Sequence, residues 1–366
     1  MQASELENRL AIVVSGVVQG VGFRPFVYAL ARRNDLSGFV RNNSGSVQIE
    51  VQGAQVSLAE FLRDLKEQAP ALSEIARIES SKIAVKPEFG FRIDESLSSL
   101  TGQKLLPPDA ATCNECLQEL FDPENRRFRY PFINCTNCGP RFTIIASLPY
   151  DRQCTTMASF VMCGLCRREY EDPNDRRFHA EPIACSSCGP ELTWQTGDAR
   201  FSGEEALQQA LRHLSRGEIA AVKGLGGFHL VCDAEDDQAI EKLRTRKRRA
   251  KKPFALMMAD LEMVRKHCAL SAQEELALLH PSRPIVLLEK LAQSPLPEQI
   301  APGCGRLGVM LPYTPLHHLL MFEFKKPIIA TSANLSEEPI VIDNQEARER
   351  LAELADGFLD HNRDIR

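Results

Sequence analysis

Ser15-Gly-Val-Val-Gln-Gly-Val-Gly-Phe-Arg24 joins an apolar segment to one whose Phe23, Val27 and Leu30 fall at i, i+4 and i+7. That spacing predicts a strand running into an amphipathic helix, with Pro25 suited to the first helical turn. Three glycines in the turn let backbone N–H groups converge on an anion at the helix N-terminus, and Arg24 adds a planar fork that matches two phosphate oxygens. A Gly-rich turn alone is often only a tight connection. Here Gln19, Gly20, Val21, Gly22, Phe23 and Arg24 together read as a phosphate cradle. Working outward, residues 10–93 alternate as strands at 10–15, 38–42, 47–51, 75–83 and 89–93 with helices at 23–33 and 56–68. This is a βαββαβ order with one extra strand.

Downstream, four CxxC pairs follow: Cys113/Cys116, Cys135/Cys138, Cys163/Cys166 and Cys185/Cys188. The second two repeat the first two 50 positions later, as do Asp122-Pro123 and Asp172-Pro173, Arg126-Arg127-Phe128 and Arg176-Arg177-Phe178, Gly139-Pro140 and Gly189-Pro190. Two CxxC turns supply four thiolates, a closed tetrahedral set for one structural zinc, so the duplication predicts two Zn2+ ions. Thioredoxin-type redox pairs are the alternative, and four pairs in register argue against it. Which pairs share an ion is open. Cys154, Cys232, Cys268 and Cys304 stand alone and are expected to be small buried residues.

Linkers are expected at 95–108 and 191–200. Ser202-Gly-Glu-Glu205 reads as a capping box ahead of a helix marked by Leu207, Leu211 and Leu214 and ending at Gly217. A strand at 219–223 then runs into Gly224-Leu-Gly-Gly-Phe-His-Leu230. A helix near 238–243 leads into the basic run Arg244-Thr-Arg-Lys-Arg-Arg-Ala-Lys-Lys-Pro253, and Ile328-Ile-Ala-Thr-Ser-Ala-Asn334 reads as a buried strand delivering Thr331, Ser332 and Asn334 to a loop. Taken alone, the basic run is a solvated face or an RNA-binding patch.

With 366 residues the chain is long for one core, and three domains are expected: 8–95, 109–190 and 200–366. Net charge of −5 argues against general nucleic-acid affinity, and no apolar run reaches the roughly 18 residues of a membrane span. The first eight residues lack a basic and an apolar region, so no secretory signal is read, and a cytoplasmic location is expected.

The loop string resembles the acylphosphatase signature, and Gly38-Phe-Val-Arg-Asn42-Asn-Ser-Gly45 resembles that family's second motif. The resemblance implies a ferredoxin-like acylphosphatase fold in which Arg24 binds the acyl phosphate and Asn42 orients the attacking water. Lys247-x-Arg249 with Ser332-x-Asn334 resembles the YrdC/Sua5 family, which condenses a small carboxylate or carbamate with ATP. It implies that Lys247 and Arg249 lie along the triphosphate, with Mg2+ as the usual ATP companion. Thr331, Ser332 and Asn334 would hold acid and nucleotide, and Lys223 and Gly226 would line the small-acid pocket. His229 is weighed evenly between a direct and a structural role. The expected fold class is thus α+β multidomain: an acylphosphatase domain, a duplicated four-cysteine zinc module and a YrdC/Sua5-like α/β domain.

This order of parts is similar to the HypF family, the carbamoyltransferases of [NiFe]-hydrogenase maturation. The resemblance implies hydrolysis of carbamoyl phosphate at Arg24, internal transfer of carbamate, formation of carbamoyl-adenylate from ATP, and passage of the carbamoyl group to the C-terminal cysteine of HypE. Family members continue into a Kae1-like domain. The chain is therefore read as a fragment that ends before its third domain is complete, with the zinc module bracing two active sites. Two rivals are weighed beside it: a threonylcarbamoyl-adenylate synthase of tRNA modification, and a non-catalytic zinc scaffold.

Overall fold

The structure, a computed structural model, describes residues 8–43, 45–97, 106–334 and 338–366. Ser44 of the second motif, residues 98–105 of the first expected linker and the first seven residues lie outside these. Backbone contacts divide the chain into two units, one of residues 1–109 with 134–183, the other of 110–133 with 184–366. The cysteine-rich segment therefore contributes residues to both units.

In the first unit the chain runs β1 (Asn8–Val17), α1 (Phe23–Arg33), β2 (Ser37–Asn43), β3 (Ser46–Gly53), α2 (Gln55–Glu67), β4 (Glu74–Ile83) and β5 (Phe91–Ile93). The sheet order is β4-β1-β3-β2-β5, with β1 antiparallel to β3 and β4 and β2 parallel to β5. Period-2 alternation places Ile12, Val14, Val47, Ile49 and Val51 on the covered face, where Val27 and Leu30 of α1 and Leu58, Phe61 and Leu65 of α2 pack on them. Each of these fully buried side chains contributes about 1.5–3 kcal/mol. Gly38 has φ +137°, and a Cβ there would lie 2.0 Å from the Glu50 carbonyl oxygen, so the β2–β3 pairing needs glycine at this point.

Two short helices follow the leading CxxC turns, α3 (Asn114–Phe121) and α4 (Gly164–Glu171). The second unit then runs β6 (Leu192–Thr196), β7 (Ala199–Ser202), α5 (Gly203–Leu214), β8 (Ala220–Lys223), β9 (Phe228–Asp233), α6 (Asp237–Lys247), β10 (Ala255–Met257), α7 (Leu261–His267), α8 (Ala272–Leu279), β11 (Val286–Glu289), β12 (Arg306–Met310), α9 (Pro315–Phe324), β13 (Ile328–Ser332), α10 (Asn344–Arg350) and β14 (Gly357–His361). Its nine strands are ordered β11-β12-β10-β13-β9-β8-β14-β6-β7. Leu230, Cys232, Leu256, Val309 and Ile329 of the sheet and Ile240 and Leu243 of α6 are among its core residues.

Three expectations are corrected here. The segment expected as a linker at 191–200 is largely strand: β6 pairs with β14 and β7, and the chain's single tryptophan, Trp194, is fully buried on it. Ser202 makes no capping hydrogen bond, because it pairs with Thr193 as the last residue of β7. The capping box that does form is Ser271 with Glu274 at α8. Finally, α6 runs on to Lys247, so the first four residues of the basic run are helical and the chain reverses only at Arg248, with φ +51°. Of the lone cysteines, Cys232 and Cys268 are buried as expected, whereas Cys304 is exposed and Cys154 is half-buried. No helix among the described residues is long and apolar enough to cross a membrane.

Candidate active sites and metal centres

In the first unit the β1–α1 turn carries Gly20 at φ +70° and Gly22 at φ +75°, both left-handed, and Gly22 caps α1. Gln19 fastens the turn: its amide donates to the Ser46 carbonyl at 2.9 Å and its oxygen accepts from the Tyr150 N–H at 3.3 Å. Val21 and Phe23 are buried beneath it. Arg141 holds the turn from the other side, giving Nε to the Gly20 carbonyl at 2.9 Å and Nη2 to the Thr136 carbonyl at 2.7 Å. The enclosed recess lined by Gly20, Gly22, Arg24, Asn42, Arg141 and Glu181 measures only about 20 Å³, room for about one water. A wider cleft of about 620 Å³ shares Arg24 and His179 with the recess and adds Asp151 and Tyr170.

The expected pair Arg24 and Asn42 meets in this recess. Asn42 is fully buried, its Nδ2 donates to the Tyr150 carbonyl at 3.4 Å, and its Oδ1 has no hydrogen-bond partner among the described residues. A buried amide oxygen left open is the acceptor that a water molecule needs. Arg24 is more heavily engaged than the sequence suggests. Its Nη1 donates to Asp151 at 2.8 Å and Ser96 at 3.4 Å, and its Nη2 to Glu181 at 2.7 Å and the Tyr150 carbonyl at 3.3 Å. Glu181 also accepts from the Arg152 N–H at 2.9 Å and the Tyr170 hydroxyl at 3.0 Å. Burial, outweighing the pull of Arg24, raises the Glu181 carboxyl above the usual range, and burial with Arg24 lowers His179 to about 4.

In the second unit Lys247, Arg249, Thr331, Ser332 and Asn334 come together. Lys247 Nζ donates to the carbonyls of Ser332 and Asn334, each at 2.7 Å. Arg249 gives Nη1 to the Thr331 hydroxyl at 3.1 Å and stacks 4.8 Å from the Phe254 ring centre, while Ser332 donates to Asn334 Oδ1 at 2.7 Å. Burial, with Arg249 and Lys252 nearby, lowers Lys247 to about 8. Lys223 forms a separate centre, donating to Asn344 at 2.6 Å and to the carbonyls of Arg363 and His361 at 3.1 and 3.3 Å. Burial lowers it too to about 8. Gly226 is exposed in the neighbouring turn. His229 pairs through Nε2 with the Tyr313 hydroxyl at 3.3 Å.

The cysteines resolve into two groups, Cys113, Cys116, Cys135 and Cys138, and Cys163, Cys166, Cys185 and Cys188, with all four sulfurs of a group within 4.8 Å of one another. The sulfurs thus gather within each repeat. Zn–S bonds of about 2.3 Å require tetrahedral S···S edges of about 3.8 Å. Cys135 and Cys138 stand 3.9 Å apart, Cys185 and Cys188 3.8 Å. The donor sets fit two zinc ions.

Three family models match: "Acylphosphatase" over residues 10–93, "HypF finger" over 112–145 and 162–195, and "Telomere recombination", the Sua5/YciO/YrdC model, over 212–366. Carbamoyltransferase HypF of Synechocystis is 51% identical over 358 residues, spanning 97% of this chain. The chain belongs to the HypF family. It spans just under half of that relative's length, 46%, and 47% of the HypF of Rhodobacter capsulatus, also 51% identical. Among solved structures, a full-length HypF in the phosphate- and nucleotide-bound form matches with TM-score 0.96 and 48% identity, covering all of this chain and 48% of that one. The HypF of T. kodakarensis matches at 0.90 and 46%, covering 98% of this chain and 46% of that one. In this HypF-family chain, reading the sequence missed Asp151, Tyr170, His179, Glu181 and Arg141 around the loop, and Asn344 and Arg363 around Lys223. For Tyr170, His179 and Glu181 a signal existed in the mismatches between the two cysteine repeats.

Proposed function

We propose that this chain carries out the first two steps of HypF chemistry, hydrolysing carbamoyl phosphate and activating the released carbamate with ATP. The observation that carries the reading is the convergence of the left-handed glycine turn, Arg24 and the open Oδ1 of Asn42 in one recess. Backbone N–H groups of the turn and the Arg24 guanidinium would bind the phosphoryl oxygens and offset their growing charge, and Asn42 Oδ1 would accept a hydrogen bond from the attacking water. Water oxygen joins phosphorus, the P–O bond to the carbamoyl group breaks, and carbamate and phosphate leave. Substrate entry requires the recess to widen toward the outer cleft, through the side that Asp151 occupies.

At the second site ATP and carbamate would give carbamoyl-adenylate and pyrophosphate. Arg249 and Lys252 would face the departing pyrophosphate, Mg2+ entering with ATP, while Lys247 fixes the 332–334 loop that presents Ser332 and Asn334. Lys223, with Asn344, would hold the carbamate. Two structural zinc ions, a cytoplasmic setting suited to free thiolates, and HypE as the final carbamoyl acceptor complete the reading. The phosphate- and nucleotide-bound state of the matching full-length HypF supports it.

The test is phosphate release from carbamoyl phosphate, together with carbamoyl-phosphate-dependent exchange of pyrophosphate into ATP. Arg24→Ala should reduce the first and, by starving the second site, the second. A strict requirement for threonine in the exchange would instead identify a threonylcarbamoyl-adenylate synthase. Absence of both activities would favour a scaffold.

A further inference from the structure

The two cysteine repeats keep the same framework at an offset of 50 residues, but Leu120, Arg129 and Pro131 of the first stand where the second has Tyr170, His179 and Glu181. The backbone does not demand the change. Arg129 and His179 have the same left-handed φ, 54° and 53°, and their N–H groups bond to the matching carbonyls of Leu120 and Tyr170 at 2.8 and 3.0 Å. The first copy thus forms this turn without a tyrosine, histidine or glutamate at those places. Its Arg129 serves another purpose, pairing with Glu204 and Glu323. In the second copy all three substituted side chains gather beside Arg24.

From this divergence we infer that Glu181 is a positioning residue of the acyl-phosphate site, supplied by the second finger repeat and oriented by Tyr170. The inference rests on the hydrolytic role proposed for Arg24. A buried carboxylate is costly unless fully partnered, and Glu181 is only 1% exposed. Its partners are Arg24 Nη2 on one oxygen and the Tyr170 hydroxyl and Arg152 N–H on the other. Those contacts fix the plane of a long, otherwise mobile guanidinium at the mouth of the glycine turn. Asp151 holds the opposite edge of Arg24, but its side chain keeps 17% of its surface open on the outer cleft. An incoming phosphoryl group can replace Asp151 while Glu181 stays.

The experiment compares the full chain with Glu181→Ala, Glu181→Gln, Arg24→Ala and the Arg24→Ala/Glu181→Ala double variant, by carbamoyl phosphate hydrolysis and by titration with inorganic phosphate. Glu181→Ala is expected to lower kcat/KM by about 10–100-fold, the loss typical of a displaced binding group. Glu181→Gln, which keeps an oxygen for Arg24, should lose less, and zinc content should stay at the parent value. The decisive result is the double variant: a group that acts only through Arg24 adds no loss once Arg24 is gone. Full activity of Glu181→Ala, or the same fold-loss in both backgrounds, overturns the inference while leaving the hydrolytic reading intact. If the parent chain releases no phosphate, that reading fails by itself, and phosphate affinity decides in its place. Weaker binding in Glu181→Ala with no further loss beside Arg24→Ala supports the inference, and unchanged binding overturns it.

Discussion

Replacing Asp151 by asparagine should make the first site bind phosphate more tightly. Arg24 gives Nη1 to Asp151 at 2.8 Å, so a phosphate dianion on the same guanidinium would lie about 5–6 Å from that carboxylate, where each pair of unit charges repels by about 3 kcal/mol at an effective dielectric near 20. Asp151 sits on an open cleft, and solvent and salt reduce this by more than half. Asparagine keeps the size and an oxygen for Arg24 but drops the charge. The expected gain is about 1 kcal/mol, roughly fivefold in affinity, measured by calorimetric titration with inorganic phosphate at low ionic strength and shrinking in ~0.5 M salt. Weaker or unchanged binding in Asp151→Asn would refute the reasoning, since it would mean that the carboxylate holds Arg24 ready instead of competing for it.

The zinc groups predict about two zinc ions per chain by elemental analysis and about one in Cys138→Ser. A parent value of one or none would show that the sulfur groups do not both bind. Burial lowers Lys247 and Lys223 to about 8, so as pH rises through that value Lys247 loses the positive charge it places beside the nucleotide loop and Lys223 the charge it offers carbamate. ATP affinity should therefore fall as pH rises from 7 to 9, and Lys247→Arg should flatten part of that slope; a flat parent profile contradicts the assignment. Trp194→Ala should destabilise the second unit by about 3–5 kcal/mol in denaturant unfolding followed by circular dichroism. A cost below ~1 kcal/mol would return residues 191–200 to the status of a linker.

What the sequence made legible was local. The glycine turn, the helix after it and the alternation of β1 and β3 are set by neighbours in the chain, and so are Arg24 and Asn42 as candidates. The partners of Arg24 were hidden because they come from far away, Asp151 at 127 and Glu181 at 157 residues' separation, and a lone acidic residue outside a helix or strand carries no periodic signal. β6 was misread for a related reason. Its five residues are too few for a clear alternation, and the partner that makes them a strand, β14, begins only at Gly357. The capping motif at Ser202 failed because strand pairing at the end of β7 claimed the residue first. In the second site the Lys-x-Arg and Ser-x-Asn spacings did foretell a meeting, but not that Lys247 would spend its hydrogen bonds on the carbonyls of the loop it supports.

The two repeats exchange arginines. Arg127 of the first donates Nε to the Ala184 carbonyl, one residue before the last CxxC pair, at 2.9 Å, and Arg177 of the second donates to the Asn134 carbonyl, one residue before Cys135, at 3.0 Å. During synthesis these contacts become available in a fixed order. The first repeat owns all its cysteines once Cys138 has emerged, yet the carbonyl that receives Arg127 is made 57 residues after that arginine, whereas Arg177 finds Asn134 already waiting. The hydrogen bond that ties Arg127 to the second repeat can therefore form only after that repeat has been made, so the first copy acquires its last cross-repeat contact when the second is complete.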